Sequence, residues 1–188
     1  MKTIFKLFTL LFFVLFNSCN TIPPNLVSTN LRAENKEGMI VGTISLEDRK
    51  SWVSQLYFFY SNVDSSLVNS GNIKNNKQNK YKSDDVVKLD GTFKFVGNFE
   101  ENGKLIFLFS IIRPEGKYSF NQLDLFKNSG YRQSMDGIKI NYPFEIEKGK
   151  TKYIGELNVK LRAEEVRLLN SIDKDRLRFR ALFPSINF

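Results

Sequence analysis

From Gly38 onward apolar residues recur at every second position, the period of a strand with one face buried. In GMIVGTISL, Ile40, Ile44 and Leu46 fall on one face with Gly42 between them. In SWVSQLYFFYS, Trp52, Leu56, Phe58 and Tyr60 share a face, while Val53, Tyr57 and Phe59 take the other. DVVKLDGTFKFVGNF reads as a hairpin: Val87 and Leu89 lead in, Asp90-Gly91 turns, and Phe93 and Phe95 lead out. GKLIFLFSII is apolar on both faces, as a strand covered on both sides requires. GKYSFNQLDLF sets Tyr118 and Phe120 in phase and then Leu123 and Leu125 out of it, the mark of a bulge. IKINYPFEI alternates Ile138, Ile140 and Tyr142 until Pro143, which confines the run to an edge or a bulge. TKYIGELNVKL places Tyr153, Leu157, Val159 and Leu161 on one face and Lys152, Glu156, Asn158 and Lys160 on the other.

Short strands separated by turn signals, without any βαβ rhythm, predict a mainly β chain folded as an antiparallel β-sandwich, one domain over residues 38–188. The last segment changes texture. VRLLN reads as a further short strand paired back through RAEE. Asp173 then stands as a helix N-cap, with Lys174 to Phe183 helical until Pro184. Leu177, Ala181 and Leu182 form the expected apolar stripe, with Phe179 and Phe183 beside it and Arg176, Arg178 and Arg180 around the rest. The rival is one long helix from Ala163 to Phe183, its first turn carrying Glu164 and Glu165. Strand followed by a short C-terminal helix is the preferred reading.

Upstream of Gly38 the pattern is different. Lys2 and Lys6 precede an almost unbroken apolar run, Leu7 to Phe16, too short to span a bilayer comfortably. Small Ser18 and then Cys19 close it, in the three-part layout of a secretory signal. The closing FNSC resembles the lipobox of bacterial lipoproteins, although Phe16 stands where Leu is usual and Asn17 where Ala or Ser is usual. The resemblance implies a signal peptide over 1–18 and lipidation at Cys19. It also implies a protein of the cell envelope, held to a membrane (the outer membrane is the expectation) by acyl chains, with either face open. The competing reading is an ordinary secretory or transmembrane segment with an incidental cysteine. Residues 19–37, with Pro23-Pro24 and no sustained period, read as an extended tether. The alternative there is a first strand with Leu26, Val27 and Leu31 packed on the body.

Two inner stretches also carry a resemblance. RPEGKYSF, residues 113–120, is similar to the Pro-x-Gly-x-Tyr turn of transthyretin-like and carboxypeptidase-regulatory-like sandwiches, in which the Tyr enters the core. YPFEIEKGKTKYIGELNV, residues 142–159, looks like the closing hairpin of a group of bacterial lipoproteins. Both imply a small sandwich, transthyretin-like or immunoglobulin-like, and neither implies an activity.

Composition then narrows the chemistry. The chain has 188 residues, one Cys and no His. Serine triads, Cys-His pairs and His-ligated zinc are thereby excluded. No G-x-x-x-x-G-K-[ST] or G-x-G-x-x-G loop is present to cradle a phosphate. The acids Asp84-Asp85, Glu100-Glu101 and Glu164-Glu165 stand as adjacent pairs, which a strand would send to opposite faces. Asp84 and Asp85 lack a calcium-loop pattern around them. The expectation is no catalytic residue, no metal and no cofactor.

Lys and Arg total 28 against 20 Asp and Glu, a formal net charge of +8, which suits anionic envelope material. Nucleic acid is not an expected partner of an exported chain. The long polar loop 61–85 offers Lys80, Tyr81 and Lys82, and the loop 127–137 offers Tyr131 and Arg132. These five are the candidate residues for binding an envelope protein or an anionic polymer. The sequence thus points to a lipid-anchored envelope lipoprotein that acts as a non-enzymatic binding or structural module. The alternative is a membrane-anchored hydrolase working through carboxylates alone.

Overall fold

Two sheets face each other across a core of aliphatic and aromatic side chains, and one helix closes the back of the larger sheet. The computed structural model describes residues 25–30, 36–48, 52–63, 85–91 and 94–188. Along the described residues the strands are β1 (Glu37–Glu47), β2 (Val53–Asn62), β3 (Val86–Asp90), β4 (Phe99–Glu101), β5 (Lys104–Pro114), β6 (Gly116–Asn128), β7 (Gln133–Ile146), β8 (Thr151–Lys160) and β9 (Glu165–Leu169). The helix α1 (Ile172–Leu182) follows. The larger sheet has the order β4-β5-β1-β8-β9 and the smaller β3-β2-β6-β7. Between these strands all pairings are antiparallel except β1 with β8. The expected β-sandwich with a short C-terminal helix is the fold observed.

The period-2 faces account for the core. Ile40, Ile44 and Leu46 of β1 meet Leu56, Phe58 and Tyr60 of β2 and Leu123 and Leu125 of β6 in one buried cluster. Phe120 lies at its centre, edge-on to Phe58, Tyr60 and Phe109, with Phe144 tilted 5.3 Å away between ring centroids. The slip in β6 is a bulge, since its register against both β2 and β7 shifts between Phe120 and Gln122. That extra residue puts Phe120 and Leu123 on the same face. β7, with Pro143, is an edge strand. The Tyr118 ring enters the core and its hydroxyl donates to the Pro114 carbonyl at 3.0 Å, so the turn at 114–116 carries the chain from one sheet to the other.

Several expectations are corrected. The Asp90-Gly91 stretch is not a hairpin turn: β3 pairs with β2, and the chain next pairs at β4, in the other sheet. Residues 142–159 likewise do not close a hairpin, because β7 and β8 belong to different sheets. Tyr153 does not share a face with Leu157 and Val159. The β1–β8 register slips between Val41 and Thr43, where Gly155 (φ 124°) is inserted, and Tyr153 turns to the outer face beside Glu156 and Asn158. A Cβ at Gly42 would stand 2.8 Å from the Gly155 carbonyl oxygen, so the bulge also needs a glycine opposite it. The expected spacer is held on the body where it is described. Leu26 bridges Phe109 in parallel and Val27 is buried.

At the C-terminus strand and helix are separate, as preferred, but the helix begins earlier and buries a different face. Ser171 rather than Asp173 is the N-cap. Leu177, Ala181 and Leu182 are exposed, and Asp175, Arg178 and Phe179 are buried. Phe179 joins Val27, Met39, Val41, Leu108 and Ile186 in a second apolar cluster on the outer face of the larger sheet. That cover explains why β5 is apolar on both sides.

Candidate functional site

Lys80, Tyr81 and Lys82 lie outside the described residues. The points where their loop leaves and rejoins the body are defined: the Val63 N–H donates to the Lys117 carbonyl at 2.8 Å and the Tyr60 N–H to the Asp85 carbonyl at 3.1 Å. Both belong to the end of the sandwich where β2 finishes. Tyr131 and Arg132 occupy the β6–β7 turn at the opposite end, where β2 begins and the Asn128 N–H donates to the Trp52 carbonyl at 2.6 Å. The anchor points of the long loop and the Tyr131 turn are therefore not brought together.

The Tyr131 turn is built to present its tip. The Ser129 N–H donates to the Arg132 carbonyl at 3.1 Å, the Arg132 N–H to Ser129 Oγ at 3.3 Å, and the Gly130 N–H to Asn128 Oδ1 at 2.9 Å. Gly130 takes the left-handed conformation (φ 84°) that the tight reversal demands. Tyr131 stands fully exposed, with Met135 54% and Trp52 45% exposed on the same rim. Just inside the rim Lys127 pairs with Asp136 and, at 2.8 Å, with Glu164. These two carboxylates hold its ammonium above the ordinary lysine range. Trp52 is the rim residue that sequence reasoning missed. It was expected on the core face with Leu56, but the β2–β6 register shifts between Val53 and Gln55, so Val53 enters the core in its stead. A bulge so close to the strand start leaves no mark in the alternation.

The carboxylates are engaged elsewhere. Under α1, Asp175 Oδ2 accepts from Thr43 Oγ1 at 2.7 Å and from the Tyr153 hydroxyl at 2.5 Å, and Asp175 Oδ1 accepts from Arg178. Burial pushes the Asp175 carboxyl up, while Tyr153, Thr43 and Arg178 pull it down. Burial, reinforced by Asp175, holds the Tyr153 phenol far above its ordinary value, so it stays protonated and donating. Arg178 also forks onto Glu101 of β4, through Nε at 2.9 Å and the second terminal nitrogen at 2.5 Å. A second branch joins at Ser171, whose N–H donates to the Tyr153 hydroxyl and whose Oγ donates to Glu156 at 2.6 Å. Glu156 also accepts from Ser45, and the Asn158 amide donates to Ser45 Oγ at 2.9 Å and to Glu47 at 2.8 Å. Among the described residues no buried side-chain polar atom lacks a partner. The arrangement ties α1 to β1, β8 and β4.

Members of the adjacent acid pairs meet cations at more exposed positions. Glu101 binds Arg178, Glu164 binds Lys127, Glu165 binds Arg167 at 2.7 Å, and Asp85 meets Arg113 at 3.6 Å. Asp84 lies outside the described residues. No group of three or more acids, Cys or His that would hold a metal occurs among the described residues.

No protein-family model matches the chain, and no curated protein does. Among solved structures the chain is similar to a leucine-rich repeat protein from Bacteroides thetaiotaomicron, at 15% identity and a TM-score of 0.35. The match covers 80% of this chain and 16% of that one, so the chain spans about a sixth of that protein's length. A likeness at this level bears on neither fold nor function.

Proposed function

We propose that the protein is a lipoprotein of a bacterial cell envelope, anchored through Cys19, that serves as a non-enzymatic binding or structural module. The observation that carries the proposal is the lone cysteine, placed where a short apolar leader ends and behind a small residue. One acyl chain gives marginal membrane binding, whereas the two or three of a bacterial lipoprotein hold firmly. The state of the carboxylates supports the non-enzymatic part. A catalytic acid pair must face a shared space wide enough for a substrate bond. Asp175 and Glu156 instead accept from donors of β1, β8 and the start of α1.

The partner we propose is a protein or an anionic polymer of the envelope, with the body's presented loops as the binding surface. Replacing Cys19→Ser tests the anchor: the wild type partitions into the detergent phase of a cloud-point extraction and incorporates a fatty-acid probe, and the variant does neither. A Cys19→Ser protein that still carries the probe and stays in the detergent phase contradicts the proposal.

A further inference from the structure

Residues 25–30 give the body a direction. They lie along β5 in the parallel sense: Leu26 bridges Phe109, the Ser110 N–H donates to the Leu26 carbonyl at 3.1 Å, and the Ser28 N–H donates to Ser110 Oγ at 2.8 Å. The strand β5 starts at Lys104, at the end of the sandwich where β1 finishes, since Leu105 pairs with Leu46. A parallel neighbour has its earlier residue toward that same end. Asn25 therefore points to the end where β5 begins. Residues 20–24 are all that separate Asn25 from Cys19. Six residue steps of at most about 3.5 Å allow the chain a reach of roughly 20 Å. A bilayer holding Cys19 is thus confined close to the body, and the direction of the chain at Leu26 favours the end where β5 begins.

The same end carries the Trp52, Tyr131 and Met135 rim. The β1–β2 connection brings Trp52 there, and the Lys127–Glu164 pair links the matching ends of the two sheets. Where β2 finishes, at the opposite end, Val63 is exposed, and outside the rim the other exposed large apolar side chains among the described residues are leucines of β9 and α1. Trp and Tyr favour the headgroup layer, where the ring is buried and the polar edge stays wet. Arg132 beside Tyr131 has the long stem and charged head that reach phosphate from such a depth.

We propose that this rim is the membrane-facing end of the protein, with Trp52, Tyr131 and Met135 seated in the headgroup layer of the bilayer that holds the acyl chains. The inference rests on reading Cys19 as the anchor. It deepens that reading by assigning the rim to lipid, and it leaves the far end, from which the 61–85 loop departs, for a partner in solution.

The chain contains one tryptophan, so its emission reports on residue 52 alone. The test uses the full-length lipidated protein in vesicles of phosphatidylethanolamine and phosphatidylglycerol, with and without phospholipids brominated on their acyl chains. Trp52 emission should shift to the blue on reconstitution and lose intensity with brominated lipid. Moving the reporter to the other end with Trp52→Phe and Val63→Trp should restore aqueous emission and remove the quenching. Protein that floats with the vesicles while Trp52 keeps its aqueous, unquenched emission overturns the orientation and frees the rim for a protein partner. Equal quenching at both positions overturns it as well. Protein that does not float with vesicles refutes the anchor itself, and the orientation falls with it.

Discussion

The two faces of the five-stranded sheet are made by alternate residues of the same strands, yet they are held by different physics. On the inner face Ile40, Ile44, Leu46, Leu157 and Val159 meet the opposite sheet with only hydrocarbon and aromatic rings. On the outer face β1 presents Met39 and Val41, which are apolar, and then Thr43, Ser45 and Glu47, which are polar. The apolar half is covered by Phe179 and Ile186. The polar half is joined by hydrogen bonds to Asp175, Glu156 and Asn158. Hydrocarbon burial is non-directional and tolerates a sliding partner. A buried carboxylate with three donors fixes one helix position, because any other leaves a charge unpaired. The inner face thus supplies most of the cohesion, and the outer face determines where α1 lies.

That division predicts a graded series. Phe120→Ala removes the ring at the centre of the inner cluster and should cost about 4 kcal/mol in denaturant unfolding. A loss below a third of that would move the centre of the core elsewhere. Arg178→Ala strips Asp175 and Glu101 of their shared cation and should cost about 3 kcal/mol, because a buried carboxylate is left uncompensated. Its amide hydrogen exchange should accelerate along α1 first, with the inner strands little changed. Uniform acceleration through both sheets would erase the distinction between the faces. Tyr153→Phe keeps the ring against Phe188 and deletes the hydroxyl shared by Asp175 and Ser171, so about 2 kcal/mol should be lost.

The smallest effect is at Glu101→Gln, where the pair is partly exposed and about 0.5 kcal/mol is expected near neutral pH. Its sign with pH is definite. The Arg178 guanidinium holds the Glu101 carboxyl below its ordinary value of 4.5. The wild type binds fewer protons folded than unfolded in the window just below that value. The gap between wild type and variant should therefore be full above pH 4.5 and close as pH falls toward the lower value. A gap that widens in acid would contradict the pairing.

The inner face was legible because its signal is local. Leu56, Phe58 and Tyr60 alternate whether or not the partner sheet is known, and Pro143 excludes a central position for β7 by itself. What escaped reading depends on residues far apart. The Gly155 bulge turns Tyr153 over, and it is accommodated by the opposed Gly42, more than a hundred residues away in sequence. Asp90-Gly91 has hairpin chemistry, but β3 is an edge strand paired with β2 alone, and the next strand of the chain, β4, belongs to the other sheet. The buried face of α1 was missed because Asp175 and Arg178 pass for solvated residues until Thr43, Tyr153 and Glu101 are brought beside them. Of the candidate partner residues, Tyr131 and Arg132 are at an exposed tip as their turn chemistry implied, and Lys80, Tyr81 and Lys82 fall outside the described residues.

Cys19 carries the functional reading, and the mass of the protein extracted from membranes tests it most directly. Cleavage before Cys19 with a thioether diacylglycerol on its sulfur predicts a chain that starts at residue 19 and is heavier than its polypeptide by a diacylglyceryl group, with or without an amide-linked acyl chain. All of the added mass should reside in the N-terminal peptide and be absent from Cys19→Ser. An extracted protein that retains residues 1–18, or begins at Cys19 with an unmodified thiol, would contradict it.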